Sequence, residues 1–277
     1  MLPWLRDRTC IALSPDRAVV VRQAPRFLRW TTTRHAVECR PGSAQEPWRA
    51  ALEALADLPP EVELSSGQVD IVLSNHFARY ALVPWDDGII GQREKLIQAK
   101  HCFSQIHGAV ANAWSVRLSA GGFRSPSLAA AVDEGLVNGV VAFCNERKLK
   151  LHSLQPWSVP AINQVRRRLN SGTNVGLLLV ERGRMFFGLF QGEHWAHVTL
   201  CRTDPGWTTR IADILKQEIY AAGLTVFPDK TFVHAIGCPD ADLKCLGPSF
   251  EVLKTPSDTR LPGQPDSGFG IVAEAIC

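Results

Sequence analysis

Asn75, His76 and Arg79 form the most suggestive polar cluster in the chain. They follow Gln68–Leu73, where Val69, Ile71 and Leu73 alternate with polar Gln68 and Asp70 in the manner of a strand that should be buried. Loop residues after such strands often carry function. A histidine between asparagine and arginine can read a carboxylate or a partner's backbone. The same residues also suit a turn that fixes two adjacent strands, with Asn75 bonding its own backbone. Ser74 precedes the cluster, which leaves a hydrolase around Ser74 and His76 as an enzymatic alternative. No general base can be assigned to that serine, however, and no Gly-x-Ser-x-Gly elbow occurs anywhere. His194 and His197 stand three apart in a strand-like run and should face opposite ways. His234, Cys238 and Cys245 have loose ligand spacing and lack a fourth partner, so loop thiols are expected rather than zinc. Lys100, His101 and His107 read as exposed residues of a helix. No catalytic residue, metal site or cofactor site is therefore expected.

The 277 residues carry 30 basic and 27 acidic side chains, too mild an excess for a dedicated nucleic-acid binder. The excess is uneven, since residues 1–40 hold eight arginines against Asp7, Asp16 and Glu38. Arg26, Phe27, Leu28, Arg29 and Trp30 mix cations with aromatic and apolar groups there. Arginine suits planar anionic partners, and a solvated basic face gives the same pattern. The eight cysteines show no CxxC pair, and the N-terminus turns charged at once, so a reducing cytoplasm is expected. Cys10, Cys102 and Cys144 look like small core residues. No apolar run reaches the roughly 18 residues of a membrane-spanning helix. Trp4 is set among apolar residues before the first strand, where it can dock on the body or on a partner.

These residues need elements to position them. Cys10–Leu13, Arg17–Arg22 and Thr31–Cys39 read as a three-stranded meander, with Ser14-Pro15-Asp16 as turn chemistry. Trp48, Leu52, Leu55 and Leu58 recur at helical spacing, which predicts a helix over 45–58. Strands follow at Gln68–Leu73 and Ala78–Val83, a helix at 91–107 and a strand at Ala113–Ser119. Leu128, Val132, Leu136, Val140 and Phe143 line up as one helical stripe, predicting a helix from Ser127 to about Arg147. Leu149–Leu154 reads as a strand, and Ser158 opens a helix with Pro160 in its first turn. A second meander covers Val175–Val180, Met185–Phe190 and Trp195–Cys201. A helix over 207–222, capped by Gly223, comes next. Strands at Thr231–Ile236 and Phe250–Leu253, a loop over 255–268 and a short element at Phe269–Ile276 complete the chain. The unit of meander, helix, strand and helix thus occurs twice, which makes a duplicated α/β architecture.

A meander that recurs in a second half is the plan of the actin-like ATPase fold. The order, the size and the closing segment Gly268-Phe269-Gly270-Ile271-Val272-Ala273 resemble the pilus and secretion branch of that family. That branch includes PilM of type IV pilus assembly, GspL of type II secretion and the MshI-like agglutinin biogenesis proteins. The segment from Leu73 to Trp85 also resembles uncharacterised proteobacterial proteins of this branch. The resemblance implies a two-lobed actin-like (RNase H-like) fold. Its first lobe would cover 1–120, connecting helices and a strand 121–174, and the second lobe 175–277.

The family's nucleotide chemistry can be tested residue by residue. An active member needs an Asp in the first hairpin and a glycine-rich turn whose N–H groups approach phosphate. Here Ala12 falls at the Asp position, Pro15 removes an N–H, and the turn holds no glycine. The second half needs another Asp-x-Gly turn and offers Glu181-Arg182-Gly183-Arg184. Its arginines would attract phosphate, but no carboxylate of the right type is placed to hold Mg²⁺ through water. Gly121-Gly122 lies in the wrong half for the adenosine motif. The resemblance thus implies a degenerate, non-catalytic member. Such a protein would be cytoplasmic and would meet the inner membrane through a membrane-anchored pilus or secretion assembly protein, without inserting itself. The chain ends at Ala275-Ile276-Cys277 without the transmembrane helix of the secretion relatives. In the pilus relatives a partner peptide packs on the first lobe, so Arg26, Arg29 and Trp30, together with Asn75, His76 and Arg79, are the partner-binding candidates. The enzymatic alternative within the family is a phosphotransferase or ATPase with rebuilt phosphate loops. Homo-oligomerisation stays open.

Overall fold

The computed structural model describes residues 8–26, 29–40, 46–59, 62, 64, 68–89, 91–119, 121–235 and 243–253. Trp4, Phe27, Leu28, Cys238, the loop 255–268 and the closing segment 268–276 lie outside the described residues, as do the side chains of 25–30. Along the chain run β1 (Arg8–Leu13), β2 (Arg17–Arg26), β3 (Arg29–Glu38), α1 (Arg49–Ala56), β4 (Gln68–Leu73) and β5 (Ala78–Val83). Then come α2 (Gln92–His107), β6 (Trp114–Leu118), β7 (Ser127–Asp133), α3 (Glu134–Glu146), β8 (Lys150–Pro156) and α4 (Ser158–Arg166). The last are β9 (Asn174–Glu181), β10 (Arg184–Gln191), β11 (His194–Cys201), α5 (Trp207–Ala221), β12 (Lys230–Ala235) and β13 (Phe250–Val252). No helix among the described residues is long and apolar enough to cross a membrane.

Two compact units emerge. Among the described residues, one gathers 8–77 with 135–159, and the other gathers 78–134 with 160–253. Both are discontinuous in sequence. The reason is strand pairing: β8 lies parallel to β4, which draws residues 150–156 into the first sheet.

The first unit holds a five-stranded sheet in the order β3-β2-β1-β4-β8. β1, β2 and β3 form the antiparallel meander, and β4 runs parallel to β1. Ile11, Leu13, Ile71 and Leu73 are fully buried within it. The stripe Ala50, Ala51, Ala54 and Leu55 of α1 is buried, as are Leu136, Val140, Phe143 and Cys144 of α3. The two helices touch so closely that a Cβ on Gly139 would meet Leu52.

The second unit repeats the same sheet order as β11-β10-β9-β12-β13. Val175 to Glu181 of β9 are all buried, as suits a central strand covered on both faces. The α5 stripe Trp207, Ile211, Leu215 and Ile219 packs with Leu178, Val180, Met185, Phe187, Leu189 and Val233. The helix stops where expected: Gly223 has φ +70, and Leu224 N–H closes on Ile219 O at 3.0 Å.

This unit also contains a three-stranded antiparallel sheet, β5-β7-β6. Its core is Phe103 and Ala99 of α2 against Ala81, Val83, Val116, Ala129 and Ala131. Here the sequence expectation is corrected. Residues 127–133 are the central strand β7, and the helix begins only at Glu134. Ala129–Ala131 have helical propensity, but pairing on both sides satisfies the backbone, and the small side chains let α2 approach. Tertiary contact overrides local preference.

Candidate functional site

The β1–β2 turn is the one at which the resemblance read from the sequence expects phosphate chemistry. Ala12 is buried, opposite Val19 on β2 and Val72 on β4. Ser14 is buried too, and its Oγ lies 2.6 Å from Asp16 Oδ1 while accepting the Arg17 N–H at 3.2 Å. Ser14 N–H donates to Arg17 O at 3.0 Å, and Arg17 Nε lies 3.6 Å from Asp16 Oδ2. Cys39 N–H donates to Asp16 O at 2.7 Å, and burial followed by Asp16 pushes the Cys39 thiol up to about 11. The polar groups of this turn thus serve one another.

The matching turn of the second unit is the tight Arg182-Gly183 hairpin, with Gly183 at φ +76. Glu181 is buried at its base, and Thr203 Oγ1 donates to Glu181 O at 3.5 Å. Arg184 is half-buried. Burial first, and then Arg202, lower its pKa, while Glu181 and Cys201 oppose the shift.

Ser74, Asn75, His76 and Phe77 form a tight turn after β4. Phe77 N–H donates to Ser74 O at 3.0 Å, and His76 N–H donates to Ser74 Oγ at 3.2 Å. Ser74 and Asn75 are fully buried, and His76 is partly exposed. Arg79 lies on β5 in the second unit. Its Nη1 donates to Ala78 O at 2.8 Å, and its pKa is lowered by burial and then by Arg184. Arg26 ends β2, and Arg29 and Trp30 open β3, with Arg26 directly opposite Arg29. The six candidates therefore occupy three separate elements: the β2–β3 hairpin, the turn after β4, and β5.

His194 and His197 have separate surroundings. His194 is exposed, with Nδ1 2.7 Å from Ser125 Oγ. His197 packs by Phe187 at 6.1 Å between ring centroids, and burial lowers its pKa. His234 is buried, which pushes it down to about 4, and Cys245 is exposed. Among the described residues no group of three or more His, Cys, Asp or Glu can hold a metal ion. His101 is exposed as expected. His107 differs: it is half-buried, with its ring 5.0 Å from that of Trp114, because the last turn of α2 lies over β6.

Two polar nodes escaped sequence reasoning. One is the Ser125–His194 bond, between residues 69 apart. The other is Asp70, whose Oδ1 is 2.5 Å from Ser153 Oγ and 2.8 Å from His152 Nδ1. A register shift in the β4–β8 pairing brings both residues to it. Serine and histidine meet the same carboxylate oxygen there and do not bond each other, so the trio lacks the geometry of a proton relay. The carboxylate of Asp70 between Val69 and Ile71 was the signal available in the sequence. Surface hollows of about 530 Å³, along Ser171, Asn174, Gln191 and His194, and about 320 Å³, along Arg168, Asp229, Lys230 and Glu251, also lie in the second unit.

No protein-family profile matches the chain, and no curated protein sequence does. Solved structures do. A Bacteroides thetaiotaomicron protein with an actin-like ATPase fold and unknown function aligns at 12% identity and TM-score 0.60, over 100% of this chain and 99% of that one. The PilM-PilN type IV pilus biogenesis complex aligns at 12% identity and TM-score 0.59, over 99% of each chain. The cytoplasmic domain of EpsL, an inner membrane component of the type II secretion system of Vibrio cholerae, aligns at 10% identity and TM-score 0.53, over 98% and 96%. The sheet order repeats in both halves, and these overlaps run the length of the chain: it has the actin-like ATPase fold.

Proposed function

We propose that this chain is a non-catalytic assembly protein of a type IV pilus or related secretion machine. It works at the cytoplasmic face of an inner membrane, where it holds a membrane partner's cytoplasmic segment. The observation that carries this is the first hairpin. Ala12 stands where an active member places its acid, and Ser14, Asp16 and Arg17 use their polar groups on one another. The whole-length likeness to the PilM-PilN complex and to the EpsL cytoplasmic domain points to the same setting. The docking surface is the basic β2–β3 hairpin with Arg26, Arg29 and Trp30, and the turn and strand bearing Asn75, His76 and Arg79 lie within the same reading. The double variant Arg26→Glu, Arg29→Glu should move the protein from the membrane to the soluble fraction without unfolding it. Normal membrane association of that variant would remove this face from consideration.

One observation favours a second reading, a phosphotransferase or ATPase with rebuilt loops. Arg184 Nε is buried without a hydrogen-bond partner among the described residues, close to the second hairpin. A phosphoryl group would satisfy it. Thermal shift separates the two, because ATP with Mg²⁺ at 100 times its dissociation constant should add about 2.7 kcal/mol of stability. A flat response supports the assembly protein.

A further inference from the structure

β3 is the terminal strand of its sheet among the described residues, and it runs for ten residues from Arg29 to Glu38. The side chains of Thr31, Thr32, Thr33, Arg34, His35 and Ala36 are all exposed, so this stretch has solvent on both faces. The backbone direction follows from the ladder. Cys39 N–H donates to Asp16 O, and β3 pairs with β2 one to one from Glu38 back to Arg29. Alternation in an antiparallel pair then turns the N–H and C=O of 37, 35, 33 and 31 toward β2. Those of Thr32, Arg34, Ala36 and Glu38 point outward. A long, exposed edge rich in threonine is a template for another strand.

Charge selects the occupant. Between residues 8 and 40 stand seven arginines against Asp16 and Glu38; Arg17 pairs with Asp16 and Arg40 with Asp57, which leaves five arginines against Glu38. Arg34, in the middle of the edge, has no ion pair among the described residues. Two copies pairing edge to edge would bring like charges together, whereas an acidic segment would relieve them. We infer that the outer edge of β3 takes an extended acidic segment of a partner protein by strand addition. This rests on the docking reading above and names its mode: main-chain bonds at 32, 34 and 36 supply affinity, and arginines supply selectivity.

The test uses the full chain and two blocked ten-residue peptides, one alternating Glu with Val and Thr, the other with Lys in place of Glu. The acidic peptide should slow hydrogen exchange at the Thr32, Arg34 and Ala36 amides at least tenfold, and the basic one should not. Thr32→Pro and Ala36→Pro each delete an outward N–H without touching the β2 ladder, and each should weaken acidic-peptide binding about tenfold. Ala36→Thr keeps the N–H and should bind as wild type. The exchange measurement needs no variant, so a proline that failed to fold would not remove the test. Three results would overturn the proposal: equal binding by the folded proline variants, protection at these amides before any peptide is added, or a dimer that the same prolines dissolve. Failure of the docking reading looks different. There, Arg26→Glu, Arg29→Glu stays on the membrane while the edge still binds the acidic peptide. The converse, release by charge reversal with the proline variants retained, sinks strand addition alone.

Discussion

His234 makes stability depend on pH in a direction that can be worked out. It lies in β12 opposite Leu179 of β9, only 6% exposed, and burial pushes it down to about 4. In the unfolded chain it titrates near 6.5. Between those values the unfolded state binds a proton that the folded state refuses. Stability is therefore full above about pH 6.5, falls as pH drops through the window, and levels off below about 4. At 1.36 kcal/mol per unit, the full loss is about 3 kcal/mol, and about 2 kcal/mol is lost between pH 7.5 and pH 5. His234→Leu keeps an apolar side chain in the site and cannot titrate. Urea unfolding followed by circular dichroism at pH 7.5, 6 and 5 should show the wild type losing about 2 kcal/mol relative to the variant. Titration of other groups is common to both proteins and cancels in that difference. Parallel stability curves would refute the argument, because they would mean that His234 accepts its proton in the fold.

Two packing predictions accompany it. Phe103→Ala empties the centre of the three-stranded block, where Phe103 is fully buried among alanines and valines; a loss of about 3–5 kcal/mol is expected in denaturant melts. Gly188→Ala would place a Cβ 2.7 Å from Trp195 Cζ3 and 3.2 Å from Phe186 Cε1. It should cost about 1–3 kcal/mol and disturb the Phe190–Trp195 stack, which near-ultraviolet circular dichroism reads directly.

What the sequence determined by itself was everything set by near neighbours. The α5 stripe recurs every three or four residues and ends on a glycine with positive φ, as its spacing requires. Both meanders are marked by tight turns, Ser14-Pro15-Asp16 and Arg182-Gly183, between β-rich runs. The alanine at position 12 and the glycine-free turn beside it needed no structure to be seen. Only the tertiary structure decided which distant segments pair. Residues 127–133 look helical in isolation and become a strand because β5 and β6 complete their backbone bonds on either side. Asp70 finds Ser153 and His152 across 83 and 82 residues, and Ser125 finds His194 across 69. The same pairing makes both units discontinuous, since β8 joins a sheet begun more than a hundred residues earlier. Turn and helix signals are local in free energy and can be read in a short window. The choice of a strand's neighbour is a competition among all strands for one set of hydrogen bonds and one buried face, and the folded chain resolves it.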